Sequence, residues 1–92
     1  MKSRADHNQA EIVEGLKKIG CLVMVLTMVG NGCPDLLVGF RGRNYLIEIK
    51  SKYARLSNDQ RRWHILWRGE VAIAHTLDEA IGIVDPQSGK PI

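Results

Sequence analysis

Ninety-two residues, 45% hydrophobic and 25% charged, describe one globular domain, too short for a second core and without low-complexity segments. No stretch has the length of a transmembrane span, and Met1-Lys2-Ser3-Arg4 leads into polar residues rather than an apolar signal core, so action in a cytosol is expected and a membrane partner is not. The net charge of +3 is uneven: residues 41–68 carry eight basic and two acidic side chains, the footprint of a phosphate-backbone binder, although a solvated arginine-rich surface would read the same way.

Residues 7–19 read as a first helix, because Ile12, Leu16 and Ile19 recur at helical spacing beside Val13, Lys17-Lys18 lie near its end and Gly20 follows as a cap. The apolar run 21–28 is short and β-branched enough for a buried strand. Gly30-Asn31-Gly32 punctuates a loop, and Pro34 opens a second strand over 35–40, where a missing donor is tolerated. Arg41-Gly42-Arg43-Asn44 is a tight hairpin connection into a third strand over 45–50. Ser57-Asn58-Asp59-Gln60 fits a capping box opening a helix to about Trp67, with Trp63, Leu66 and Trp67 on one face. A fourth strand over 71–75, a short helix over 77–83 and a frayed tail over 85–92 complete the chain, so the core spans about 7–83. The order α-β-β-β-α-β-α predicts an α/β fold, a mixed central sheet flanked by helices.

Alternation along the third strand points Glu48 and Lys50 to one face and Ile47 and Ile49 to the other. The hairpin lets Asp35, at the start of the neighbouring strand, approach Glu48. Two carboxylates beside an ammonium make an awkward structural element, since like charges repel and burial adds a desolvation cost. A divalent cation resolves the conflict. Mg²⁺ takes hard oxygen ligands and keeps several waters, which suits Asp35, Glu48 and the carbonyl of Ile49. Such an ion activates water and polarises a phosphate, while Lys50 orients the attacking water and offsets charge on the phosphoryl oxygens. The chemistry would be phosphodiester hydrolysis. A Glu-x-Lys triplet alone is weak; its place at the end of an apolar strand, after a strand opened by Pro34-Asp35, raises it.

The stretch GNGCPDLLVGFRGRNYLIEIK, followed by LSNDQRRWH, resembles the virus-type replication-repair nuclease (VRR-NUC) domain of the PD-(D/E)XK superfamily, and within it the small stand-alone versions of phages and prophages. The similarity runs from about Asn8 to Ile83. It implies a restriction-endonuclease-like fold, dependence on Mg²⁺ or Mn²⁺, and cleavage of DNA. For stand-alone members it further implies homodimers related to Holliday-junction resolvases, acting on branched or junction DNA in the cytoplasm of the bacterial host. Asp35 and Glu48 would be the metal-binding carboxylates and Lys50 the catalytic lysine.

The superfamily also places an acid on the first helix. Among Asp6, Glu11 and Glu14, helical projection sets Glu14 opposite the apolar stripe and Glu11 on its flank, while Gln9 lies nearer the centre, at a distance from Gly20 resembling that of the first-helix glutamate in archaeal junction resolvases. Glu11 or Gln9 would then complete the site, unless Glu11 is simply a carboxylate favoured near a helix start. Gln60 either reaches the active site, as a glutamine on this helix does in relatives, or only closes the capping box.

The expected DNA-binding set is Arg41, Arg43, Lys52, Arg55, Arg61 and Arg62. Trp63 and Trp67 could stack on exposed bases, but at helical spacing they read first as core. His7, His64 and His75 lack ligand spacing for zinc, and Cys21 and Cys33 read as reduced, buried thiols. The alternatives within this reading are a flap, nicking or restriction-like nuclease, or a DNA-binding module on a non-catalytic nuclease scaffold.

Overall fold

The computed structural model describes residues 4–87, with side chains from Asn8 onward. The chain runs α1 (Arg4–Lys18), β1 (Leu22–Val25), β2 (Leu36–Phe40), β3 (Arg43–Ile49), α2 (Asn58–Leu66), β4 (Ala72–Ala74) and α3 (Leu77–Val84). The strands form one sheet in the order β1-β2-β3-β4, antiparallel through β3, with β4 parallel to β3. A parallel pair needs a long crossover, and the segment carrying α2 supplies it. The β2–β3 hairpin turns on Arg41 and Gly42, both at positive φ (50° and 79°), the backbone combination that matches strand twist in a two-residue turn. The third strand therefore starts two residues earlier than expected.

The alternation in β2 decides the layering. Leu36, Val38 and Phe40 are buried and Leu37 and Gly39 are not. The buried set joins Ile47, Ile49 and Ala74 on the sheet and Ile12, Val13 and Leu16 of α1 with Ala80 and Val84 of α3. Both helices thus cover one face. The opposite face carries the row Met24, Leu37, Leu46, defined by the strand register, without a packed helix layer.

Two expectations are corrected by this arrangement. The apolar run 21–28 is a strand only over Leu22–Val25, and it is an edge strand with Leu22 75% and Met24 53% exposed rather than a buried one. Its pairing stops where Pro34 begins the facing strand: the Leu26 amide still donates to the Asp35 carbonyl at 2.7 Å, and the chain then turns through Val29 to Leu26. Trp63 and Trp67 are not core. No residue of α2 is buried, and Trp67 is 44% exposed. Of the expected tail, Asp85 caps α3, and residues 88–92 lie outside the described part. Among the described residues both cysteines are free, with Cys21 buried and Cys33 half-buried, and no helix is long and apolar enough to cross a membrane.

Candidate active site

The site lies on the face opposite α1 and α3, at the end where the start of α2 meets the sheet. The register pairs Leu36 with Ile47, so one step further along the ladder Asp35 stands across from Glu48. Asp35 is held at both ends. Its carbonyl accepts from Leu26, and its Oδ2 accepts from the Ile49 amide at 2.7 Å. This short bond ties the acid to the end of β3.

Glu48 is 1% exposed, the one charged residue among the buried set of the described chain. Its Oε2 accepts from the Gln60 side-chain amide at 3.3 Å, and its Oε1 is buried without a partner. Burial first, then the Asp35 carboxyl beside it and that carboxyl's charge, push the Glu48 carboxyl up to about 8; the Lys50 ammonium pulls the other way. Without a cation, Glu48 therefore keeps its proton where an exposed glutamate would lose it.

Lys50 follows β3 directly. Its amide donates to the Ala74 carbonyl at 3.1 Å, and its carbonyl lies 2.9 Å from Nδ1 of His75. Asn8 of α1 in turn donates to the His75 carbonyl at 3.1 Å. The lysine backbone is thus clamped to the end of β4, while alternation sends its side chain to the Glu48 face.

Gln60 fills both roles that the sequence left open. As the third residue of α2 its Oε1 accepts from the Ser57 amide at 2.9 Å, while Ser57 Oγ accepts from the Gln60 amide at 3.2 Å. Closing the capping box uses the oxygen of the carboxamide and leaves its NH₂ for Glu48. The helix start reaches the site through an intimate backbone contact. Gly32 adopts φ +81°, and a β-carbon there would collide with the Asp59 carbonyl and come within 2.8 Å of the Gln60 nitrogen.

Other expected residues are placed differently. Glu11 is exposed and Gln9 half-buried on α1, and no described hydrogen bond joins either to Asp35 or Glu48. The α1 residue with a bond toward the site is Asn8, one turn before Ile12; the side chain of Asp6 lies outside the described residues. The basic set divides. Lys52 and Arg55 are exposed in the loop after Lys50, and Arg61 and Arg62 are exposed on α2. Arg41 and Arg43 sit at the hairpin, at the far end of β2, roughly 15–20 Å from Asp35 at the rise of an extended chain. Arg41 lies over the Phe40 ring and pairs with Asp85 at 3.4 Å.

Asn8, His75, Gly32 and Cys33 were missed as site neighbours. Cys33 had a signal, since it lies two residues before Asp35; burial and the charges of Glu48 and Asp35 push its thiol up, so it stays protonated beside them. The contacts of Asn8, His75 and Gly32 cross between distant segments and leave no local pattern.

The donor set fits a hard divalent cation. An orphaned carboxyl oxygen and the proton that Glu48 keeps are what such an ion would satisfy and displace. Among the described residues no three His, Cys, Asp or Glu side chains converge, so the remaining ligands would be peptide oxygen and water.

No family model and no curated protein matches the chain. A solved structure of a "VRR_NUC domain" superposes on it with a TM-score of 0.75 and 24% identity, covering 94% of this chain and 99% of that one. The chain is therefore similar to a VRR_NUC domain in fold, and the expected order α-β-β-β-α-β-α around a mixed sheet is met.

Proposed function

We propose that this chain is a divalent-metal-dependent DNA endonuclease that hydrolyses phosphodiesters, selects branched substrates such as four-way junctions, and works as a homodimer. The observation that carries the reading is the buried Glu48, with one oxygen unpartnered, standing across the ladder from Asp35 and beside Lys50. The likeness in fold to a VRR_NUC domain supports it.

Asp35, Glu48 and the carbonyl of Ile49 would hold Mg²⁺ or Mn²⁺, and such an ion supplies Lewis-acid polarisation of a phosphoryl oxygen and activation of water. The chain's own groups do the rest. The Ile49 amide fixes the rotamer of Asp35. Gln60 holds one oxygen of Glu48 and so aims the other. Lys50, its backbone clamped by Ala74 and His75, presents an ammonium that orients water and offsets charge developing on the phosphate. Lys52 and Arg55, exposed in the loop after Lys50, and Arg61 and Arg62, exposed on α2 next to Gln60, would contact DNA phosphates. Arg41 and Arg43 would reach a more distant stretch of backbone. The exposed Leu22 and Met24, continuous with Leu37 and Leu46, support self-association on the face opposite α1 and α3, and a two-fold dimer would present two sites to paired strands. Bacterial host cytoplasm is the setting that the resemblance implies.

Labelled four-way junction, flap and linear duplex are to be incubated with the protein and Mg²⁺. Incision is expected on the junction, is abolished by chelation, and falls by roughly two to three orders of magnitude in Lys50→Ala. Undiminished incision by that variant contradicts the assignment. A flap or duplex preference would retain the chemistry and replace the substrate. Salt-sensitive binding without cleavage under any divalent ion would leave only a DNA-binding scaffold.

A further inference from the structure

A cleft of about 360 Å³ opens between α2 and the loop before Cys33, lined by Asn31, Asp59, Arg62, Trp63, Leu66 and Trp67. Its wall is aromatic. Trp63 and Trp67 stack one helical turn apart, with ring centroids at 4.5 Å and planes 18° apart. Trp67 is 44% exposed and Leu66 more so, on a helix without a buried residue. The chain turns closely behind the Trp67 ring: a β-carbon on Gly69 would come within 3.0 Å of the indole nitrogen. The rim is charged, with Arg62 lining the cleft beside the exposed Arg61, and Asp59 one turn back. The start of α2 links the cleft to Glu48. Asn31 precedes Gly32, Gly32 touches the backbone of Asp59 and Gln60, and Gln60 donates to Glu48.

We infer that this cleft binds one unpaired nucleobase of a DNA strand, stacked on the Trp63–Trp67 pair, with its phosphate on Arg62. The volume is at the small end of ligand sites, suited to a base and not to a duplex. Stacking on indole is tolerant of sequence because every base has a π-face, and Asn31 and Asp59 offer groups for a base edge. Asp59 repels an anion, which sends the phosphate to the Arg62 side. A second copy pressed onto this wall would strip water from Arg62 and Asp59, whereas a nucleotide offers each a partner. The inference rests on the reading of the neighbouring acids as acting on DNA. It adds a selection rule: the substrate exposes a base beside the cleaved phosphate, as a frayed junction or flap does and a continuous duplex does not.

The chain has two tryptophans, both in this cleft, so its intrinsic tryptophan emission reports on the cleft alone. A short single-stranded oligodeoxynucleotide is to be titrated into the full-length protein in EDTA, against the same oligonucleotide built of abasic residues and against a blunt duplex. The base-bearing strand is expected to quench the emission and to bind roughly ten- to a hundredfold more tightly than the abasic one. Trp67→Ala is expected to erase that preference, and Trp67→Phe to keep most of it, which excludes misfolding as the cause. Equal binding of abasic and base-bearing strands, or an unchanged preference in Trp67→Ala, overturns the inference. So does a shift of the monomer–dimer equilibrium by Trp67→Ala at unchanged DNA affinity, since a second copy would then cover the cleft. Because no metal is present, the outcome is separable from incision: quenching without any cleavage on adding Mg²⁺ sinks the nuclease reading alone, and cleavage without quenching sinks the base site alone.

Discussion

Glu48→Gln is expected to make the metal-free protein more stable and to abolish metal-dependent incision. The Glu48 carboxyl rises to about 8 in the folded chain, from an ordinary value of 4.5, with burial as the leading cause. The folded state therefore binds more protons than the unfolded state between those two values, so this group's contribution to stability falls as pH rises through that window and is constant above it. Below about 4.5 the group has no cost. A glutamine carries no charge at any pH. Its oxygen can still accept from Gln60, and its NH₂ can donate to Asp35 instead of repelling it. The measurement is the urea midpoint in EDTA from pH 5 to pH 9. The variant's advantage should be small at pH 5 and grow to roughly 1–3 kcal/mol at pH 9. Added Mg²⁺ or Mn²⁺ should reverse the order near neutral pH, because an ion that binds the folded wild type stabilises it by mass action and the variant lacks the ligand. A variant less stable than wild type at pH 9 in EDTA would show that Glu48 is a satisfied structural group.

Gly32→Ala is expected to destabilise the fold and detach α2 from the acids together. The residue has φ +81°, a region that costs an alanine about 1–2 kcal/mol, and the new β-carbon would collide with the Asp59 carbonyl. Relief requires the α2 start to move, which costs roughly another 1–3 kcal/mol. Gly30 is the internal control. Its φ is +77°, with nothing within 4 Å of a β-carbon, so Gly30→Ala carries the backbone cost alone. The urea midpoint should therefore fall further for Gly32→Ala. Incision should fall with it, since moving Asp59 and Gln60 withdraws the amide that aims Glu48. Equal losses in the two variants would contradict the close approach.

The parts of this protein legible in sequence are those set by local period and cap chemistry. Ser57 and Gln60 announce the start of α2 because a capping box is a four-residue event, and alternation places Glu48 opposite the face of Ile47 and Ile49. Asp35 and Glu48 were linked by the hairpin, and a turn of two residues sets their register. What the sequence hid depends on what covers each surface. The run from Cys21 to Met28 is apolar enough for a buried strand, and hydropathy does not say that β1 lies at an edge with one bare face. Trp63 and Trp67 keep helical spacing whether or not a sheet lies beneath them. The division of the basic residues follows from hairpin geometry: Arg41 is near Lys50 in sequence, yet the full length of β3 separates them. Gly32 read as loop punctuation, and its steric role appears only with Asp59 beside it.

The central claim is that Asp35 and Glu48 share one divalent cation. Crystals of the protein soaked in Mn²⁺ and measured for anomalous scattering test it most directly. The expected result is a single strong peak within bonding distance of both carboxyl groups, absent from Asp35→Asn crystals treated alike. Manganese bound elsewhere, with no peak between the two carboxyls, would contradict it.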